Sequence, residues 1–191
     1  MIRLIGPGGS GKSTIGPLLA ERLDVPFLDL DQYFAGRVGD IGEYIGRHGY
    51  DAYARDNVEA YCSLSRDGVR SDVVALSSGF MTYAVDTHPE YERFRREIEE
   101  CAQTFVLLPS LDRDLCVAET VRRQVARRFA RSPEREEAVI RARFEIYMAL
   151  PMRKVETMRP AAAIVDEILA VPSPASHGPS LSRTFHSSGP T

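Results

Sequence analysis

Gly6-Pro7-Gly8-Gly9-Ser10-Gly11-Lys12-Ser13 fits the pattern G-x-x-x-x-G-K-[ST], and each residue type in it answers a need of phosphate chemistry. Glycines let successive backbone N–H groups turn inward around phosphate oxygens, and the positive end of a following helix faces the same point. Lys12 reaches the β- and γ-phosphates of a nucleotide, and the Ser13 hydroxyl is a ligand for the Mg2+ that travels with them. Thr14 comes next and is placed for the α-phosphate. Gly8, Gly9, Ser10, Gly11, Lys12, Ser13 and Thr14 are therefore the candidate ATP-binding residues. The chain has 22 arginines but only two lysines, Lys12 and Lys154, so a lysine at the end of this loop stands against the composition.

A second group follows in Phe27-Leu28-Asp29-Leu30-Asp31. Alternate residues on an extended segment point the same way. Asp29 and Asp31 are thus expected to face the phosphate loop together at the carboxyl edge of a sheet, where ligands of open α/β folds bind. One carboxylate would hold the metal and the other would receive a hydroxyl proton. The third apolar run ends Leu76-Ser77-Ser78-Gly79 with no acid, unlike motor-type and switch-type NTPases, which carry the metal acid there. His48 and His88 have no companions at ligand spacing, and no metal is assigned to histidine.

These groups need a scaffold of alternating strands and helices. Met1–Ile5 is a short apolar run that stops at glycines, and Ser13–Leu23 has apolar residues in helical spacing, with a slight kink expected at Gly16–Pro17. Val25–Leu30, Asp72–Leu76 and Thr104–Leu108 read as further strands, with Val155–Met158 as a short last one. Helices are expected over Ile41–Arg47, Tyr50–Ser65, Pro89–Cys101, Asp112–Ala130, Pro133–Leu150 and Pro160–Ala170. Ser132 would cap the helix that Pro133 opens. Strands without polar alternation, separated by helices, imply βαβ crossovers and a parallel sheet covered on both faces.

With 191 residues, 43% of them hydrophobic, and a net charge of -3, the composition is that of one soluble domain. No apolar run approaches the roughly 20 residues that cross a bilayer. A near-neutral charge argues against general nucleic-acid binding. Cys62, Cys101 and Cys116 are odd in number and far apart, as suits thiols in a reducing cytoplasm. From residue 171 the chain is rich in Ser, Pro and Gly and reads as a disordered tail, which leaves a single domain over 1–170.

In these motifs the chain resembles the shikimate kinase family of small P-loop kinases, related to nucleoside monophosphate kinases. The resemblance rests on the GPGGSGKST loop, the D-x-D after the second strand, an arginine in the next helix, a glycine turn after the third strand and an arginine-rich lid. It implies a three-layer α/β/α fold with a parallel sheet of about five strands, and a helical lid over about 112–133. It also implies a monomeric enzyme that moves the γ-phosphoryl group of ATP to a hydroxyl of a carboxylated polyol, shikimate first. By the same resemblance Asp29 and Ser13 serve the Mg2+, and Asp31 binds the acceptor hydroxyl as the proposed base. Arg55, in Tyr53-Ala54-Arg55, and Arg143, in Arg143-Phe144-Glu145-Ile146-Tyr147, grip the acceptor carboxylate beside Gly79. Two guanidinium forks suit one carboxylate because each pairs bidentately. Arg127, in the five-arginine stretch Arg122–Arg131, would close over the transferring group, with Arg123 or Arg128 as substitutes. Two positions depart from the family: Ser77-Ser78-Gly79 replaces a glycine triplet, and Val58 stands where a glutamate is usual. Both lie on the acceptor side, so gluconate, an aminocyclitol or a nucleoside monophosphate stay open as acceptors, and so does a nucleotide-binding module without turnover.

Overall fold

The computed structural model describes residues 1–125 and 133–172. Its strands, β1 (Ile2–Ile5), β2 (Phe27–Asp29), β3 (Val73–Ala75), β4 (Thr104–Leu108) and β5 (Arg153–Glu156), form one sheet in the order β2-β3-β1-β4-β5. Every pairing is parallel. At the centre, Leu4 of β1 is in register with Ala75 on one side and Phe105 on the other. The chain thus leaves β1 between two parallel neighbours at the carboxyl edge, the position where open α/β sheets bind ligands.

Eight helices surround the sheet among the described residues: α1 (Lys12–Leu23), α2 (Leu30–Val38), α3 (Ile41–His48), α4 (Tyr50–Arg66), α5 (Tyr91–Glu100), α6 (Arg113–Val125), α7 (Pro133–Ala149) and α8 (Ala161–Leu169). Neighbouring strand residues enter opposite cores, as the two-residue period of a strand requires. Leu4, Val73 and Phe105 pack with Ile15 and Leu19 of α1 and Ile164 and Ile168 of α8. Ile5, Val74 and Val106 pack on the other face with Phe34, Val58, Ile98, Phe144 and Tyr147. The result is the three-layer α/β/α P-loop kinase fold, and burial on both faces explains the unbroken apolar strands.

Pro17 lies inside α1, which runs through it without a break, as expected. Two other elements differ from the sequence reading. The second strand stops at Asp29 instead of Leu30, because the Asp29 side chain accepts the N–H groups of Asp31 and Gln32 and so caps a new helix, α2. The last strand comes two residues early, at Arg153-Lys154-Val155-Glu156. There an edge position lets charged residues flank the buried Val155. Helix α7 starts at Pro133, as expected, whereas Ser132, the arginines Arg127, Arg128 and Arg131 of the lid, and residues 173–191 of the tail lie outside the described residues. No described helix is long and apolar enough to cross a membrane.

Candidate functional site

The loop between β1 and α1 owes its shape to glycine. Gly6, Gly9 and Gly11 have φ of 143°, 80° and 101°, backbone that side chains with a Cβ rarely adopt. At Gly6 there is also no room, since a Cβ would overlap the carbonyl oxygen of Leu107 in β4. Lys12 is buried and folds back over the loop, its Nζ donating to the carbonyls of Gly6 at 2.7 Å and Pro7 at 3.0 Å. Helix α6 grips the loop from outside. Arg123 Nη1 donates to Gly9 O at 3.0 Å and Gln124 Nε2 to Gly8 O at 3.2 Å. Glu119, one turn earlier, receives Arg123 Nε at 2.6 Å. Hydrogen bonds from Arg122, and then from Arg123, hold the Glu119 carboxyl down at about 2.

Ser13 Oγ donates to Asp29 Oδ2 at 2.7 Å while Asp29 Oδ1 caps α2. A hydroxyl and a carboxylate in contact beside a phosphate loop are hard oxygen donors of the kind Mg2+ takes. Asp29 and Asp31 do not share one extended face as the sequence suggested. Asp29 is the cap, and Asp31 sits in the first turn of α2 and faces a cavity. Tyr53 Oη donates to Asp31 Oδ1 at 3.2 Å. Burial, and then the charge of Asp31, push the Tyr53 phenol up, so it stays a donor.

Two cavities meet at the loop. The first, about 310 Å3, has Pro7 and Gly8 at one end. Asp31, Tyr50, Tyr53, Ser78, Gly79, Gln124 and Arg143 supply its polar lining, and Ile41, Ile45, Val139 and Ile140 its apolar wall. The second, about 420 Å3, lies on the other side of the loop, between Gly9, Gly11, Thr14 and the residues Arg122, Arg123, Thr157, Arg159 and Ile164. Behind the first cavity Tyr147, fully buried, donates its Oη to Ser78 O at 2.6 Å and so fixes the turn after β3. One turn away on α7, Arg143 Nη2 donates to Tyr50 Oη at 2.8 Å.

A family model described as shikimate kinase matches residues 8–171. The chain belongs to the shikimate kinase family. Among its curated relatives, the shikimate kinase of Paracidovorax citrulli is 39% identical over 79 residues, which are 41% of this chain and 43% of that protein. The matched segment thus spans less than half of that relative, as it does of the next ones in Chlorobium. The shikimate kinase of Nitratidesulfovibrio vulgaris is 29% identical over 184 residues, covering 88% of this chain and 93% of its own. Of solved structures, shikimate kinase from Aquifex aeolicus superposes with a TM-score of 0.65 at 23% identity, over 89% of this chain and 94% of that one. The enzyme from Acinetobacter baumannii, solved in complex with shikimate, superposes with a TM-score of 0.62 at 23% identity over 88% and 89%.

Of the residues that the shikimate kinase resemblance singled out, Asp31, Gly79 and Arg143 line one cavity, and Ser13 and Asp29 are in contact beside it. Arg55 does not join them. It lies on the exposed side of α4, 3.3 Å from Asp56. Two residues along a helix turn the side chain by about 200°, so with Tyr53 in the cavity Arg55 must face away. An exposed pair of this kind adds little stability. Arg127 lies outside the described residues. The sequence reading assigned no role to Tyr50, Tyr53, Gln124, Thr157 or Arg159. The one available signal was that Tyr50 and Tyr53 stand three apart on a helix and so share a face. Glu59, Cys62 and His88 also gather, with ligand atoms within 4.8 Å. His88 Nδ1, however, accepts the Glu90 N–H, so Nε2 carries the proton it gives to Glu59 at 3.1 Å, and neither ring nitrogen is bare for a metal.

Proposed function

We propose that this chain transfers the γ-phosphoryl group of ATP to a hydroxyl of a carboxylated polyol, with shikimate the first acceptor to test. The observation that carries this reading is the phosphate loop standing as a common wall between two cavities, one ending on Asp31 and Arg143. The second cavity would take the nucleoside end of ATP. The first is large enough for a small cyclic acid and offers a guanidinium for its carboxylate and a carboxylate for its hydroxyl. The names of the relatives, and shikimate in the Acinetobacter enzyme, point the same way.

In the reaction the acceptor hydroxyl oxygen bonds to the γ-phosphorus, the bond to the β-phosphate oxygen breaks, and ADP leaves. Lys12, with the amides of Gly8 to Ser13, neutralises and orients the phosphates. Asp31 takes the hydroxyl proton. Tyr53 occupies its Oδ1, leaving the other oxygen for the acceptor. Ser13 and Asp29 would hold Mg2+, which when bound supplies positive charge to the β- and γ-phosphate oxygens. Arg143 anchors the acceptor, and Arg127 would close over the transferring phosphoryl group, excluding the water that competes as acceptor. We place the enzyme in the cytoplasm as a monomer, in keeping with three free cysteines.

The test is ADP release by the purified protein with Mg·ATP, with and without shikimate. Stimulation to about 1–100 s⁻¹ is the expected result. ATP binding without stimulation by shikimate would refute that acceptor. A second reading, a kinase of another carboxylated polyol such as gluconate, is favoured by Ser77-Ser78 and by the outward Arg55; stimulation by gluconate alone would establish it.

A further inference from the structure

We infer that Tyr50 is an acceptor-binding residue that shares the acceptor's carboxylate with Arg143, in the place of a second arginine; the inference rests on the reading above that the acceptor is carboxylated. Arg143 Nη2 lies 2.8 Å from Tyr50 Oη, and its guanidinium carbon is 6.0 Å from the centre of the Tyr50 ring. A guanidinium has donors only, so the phenol oxygen must accept, and its own proton points somewhere else. Among the described residues the hydroxyl's one hydrogen bond is that from Arg143.

The ring is held on two sides and leaves 36% of the residue exposed. It packs at a tilt on Tyr53, centroids 5.7 Å apart, and edge-on to Tyr83 at 6.1 Å. Its hydroxyl also rests where a Cβ on Gly79 would be, so the turn after β3 closes that side. Tyr50, Arg143 and Gly79 all line the first cavity, so an O–H turned away from Arg143 can reach a group bound there. The free donors of Arg143 and the proton of Tyr50 thus converge on one place. A carboxylate there receives a charge-assisted bond from the guanidinium and a second from a phenol that the guanidinium polarises.

The exchange of arginine for tyrosine also changes the charge of the pocket. Among the described residues that line it, Asp31 is the anion and Arg143 the cation, and Arg55 faces solvent beside Asp56. A second arginine would leave the pocket with a net positive charge; the phenol supplies a donor without one. Selection for one carboxylate then depends on a hydrogen-bond geometry that Tyr50 helps to set, and not on charge alone.

Tyr50→Phe keeps the ring and removes only the oxygen. The KM for shikimate should rise about tenfold, the loss falling on KM more than on kcat, as expected when a hydrogen bond to a charged group is lost. The preference for shikimate over its carboxamide should shrink by about the same factor. Gly79→Ala is the second variant: its Cβ would overlap the Tyr50 hydroxyl and come within 3.3 Å of Arg143 Nη2, so it disturbs their contact while the phenol is kept, and it should move both quantities the same way. Melting curves of each variant show whether the fold is kept. A lower melting temperature with the acid-to-amide preference unchanged would make Tyr50 a packing residue and overturn the inference. Should the parent protein not phosphorylate shikimate, calorimetric titration with shikimate, gluconate and benzoate replaces the kinetics. Binding that weakens about tenfold in Tyr50→Phe would uphold Tyr50 while the shikimate reading fell. Binding unchanged by the substitution, or no carboxylate bound by the parent, would overturn the inference itself.

Discussion

Two substitutions at Asp29 should separate folding from chemistry. Its Oδ1 caps α2 through Asp31 N at 3.0 Å and Gln32 N at 3.3 Å, and its Oδ2 receives Ser13 Oγ at 2.7 Å. Asn is as good a cap as Asp, so Asp29→Asn should keep the first interaction and should lose less than about 0.5 kcal/mol. Asp29→Ala loses the cap, worth about 1 kcal/mol, and leaves Ser13 to water, an exposed bond worth about 0.5 kcal/mol more. At about 2–4 °C per kcal/mol for a chain of this size, Ala should melt about 3–6 °C lower while Asn stays within about 2 °C of the parent. Activity should divide differently. Both variants lose the carboxylate charge that would face Mg2+, and kcat should fall by about 10²-fold or more in each. Thermal unfolding by circular dichroism, run beside ADP release over a range of Mg2+ concentrations, measures both effects. An Asn variant that melts as low as Ala would show that the cap is not what Asp29 contributes to stability. An Asn variant with the parent's kcat and Mg2+ dependence would remove Asp29 from the metal site.

Three further outcomes follow from the same geometry. Gly6→Ala forces a Cβ onto backbone with φ 143° and against the Leu107 carbonyl, so it should cost about 2–4 kcal/mol by urea denaturation, and a cost below 1 kcal/mol would mean the loop has another shape. Tyr147→Phe removes the 2.6 Å donor of the part-buried Ser78 O and should cost about 0.5–1.5 kcal/mol; no loss would show that the carbonyl finds another partner. Glu119, held at about 2 by Arg122 and Arg123, binds fewer protons folded than unfolded, so its contribution is complete above its ordinary 4.5 and disappears as the pH falls towards 2. The stability gap between the parent and Glu119→Gln, measured in urea at several pH values, should close over that interval, and a gap independent of pH would remove the ion pair as its source.

How legible each part was in the sequence follows how local it is. The phosphate loop is eight consecutive residues whose glycines and lysine act on one another directly, and the strands beside it are apolar because both faces are covered, so both could be read from the chain alone. Helix α2 was hidden because Asp29 looks like the end of a strand. Its apolar positions, Leu30, Phe34 and Val38, fit a helix only once the cap is recognised. Arg55 failed for a related reason. The string Tyr53-Ala54-Arg55 does not say which side of α4 is buried, and the buried Tyr53, Ala54, Asn57 and Val58 turn Arg55 outward. Tyr50 and Arg143 are 93 positions apart, and no local pattern announces that they meet.

The same contrast bears on how this chain differs from its family. The phosphate contacts of the donor side come from the loop and the start of α1, so a change there damages several of them together. The acceptor side is assembled from α2, α3, α4, the turn after β3, α6 and α7, each contributing one to three residues to a cavity of about 310 Å3. A residue on one of these elements changes what the cavity recognises without moving Lys12 or Ser13. The replacements at Ser77 and Ser78, the outward Arg55 and the phenol of Tyr50 all fall on that side. A chain of this design can change its acceptor by single substitutions and still handle the nucleotide in the same way. A changed acceptor preference should therefore appear first on substitution of Tyr50 or Arg143.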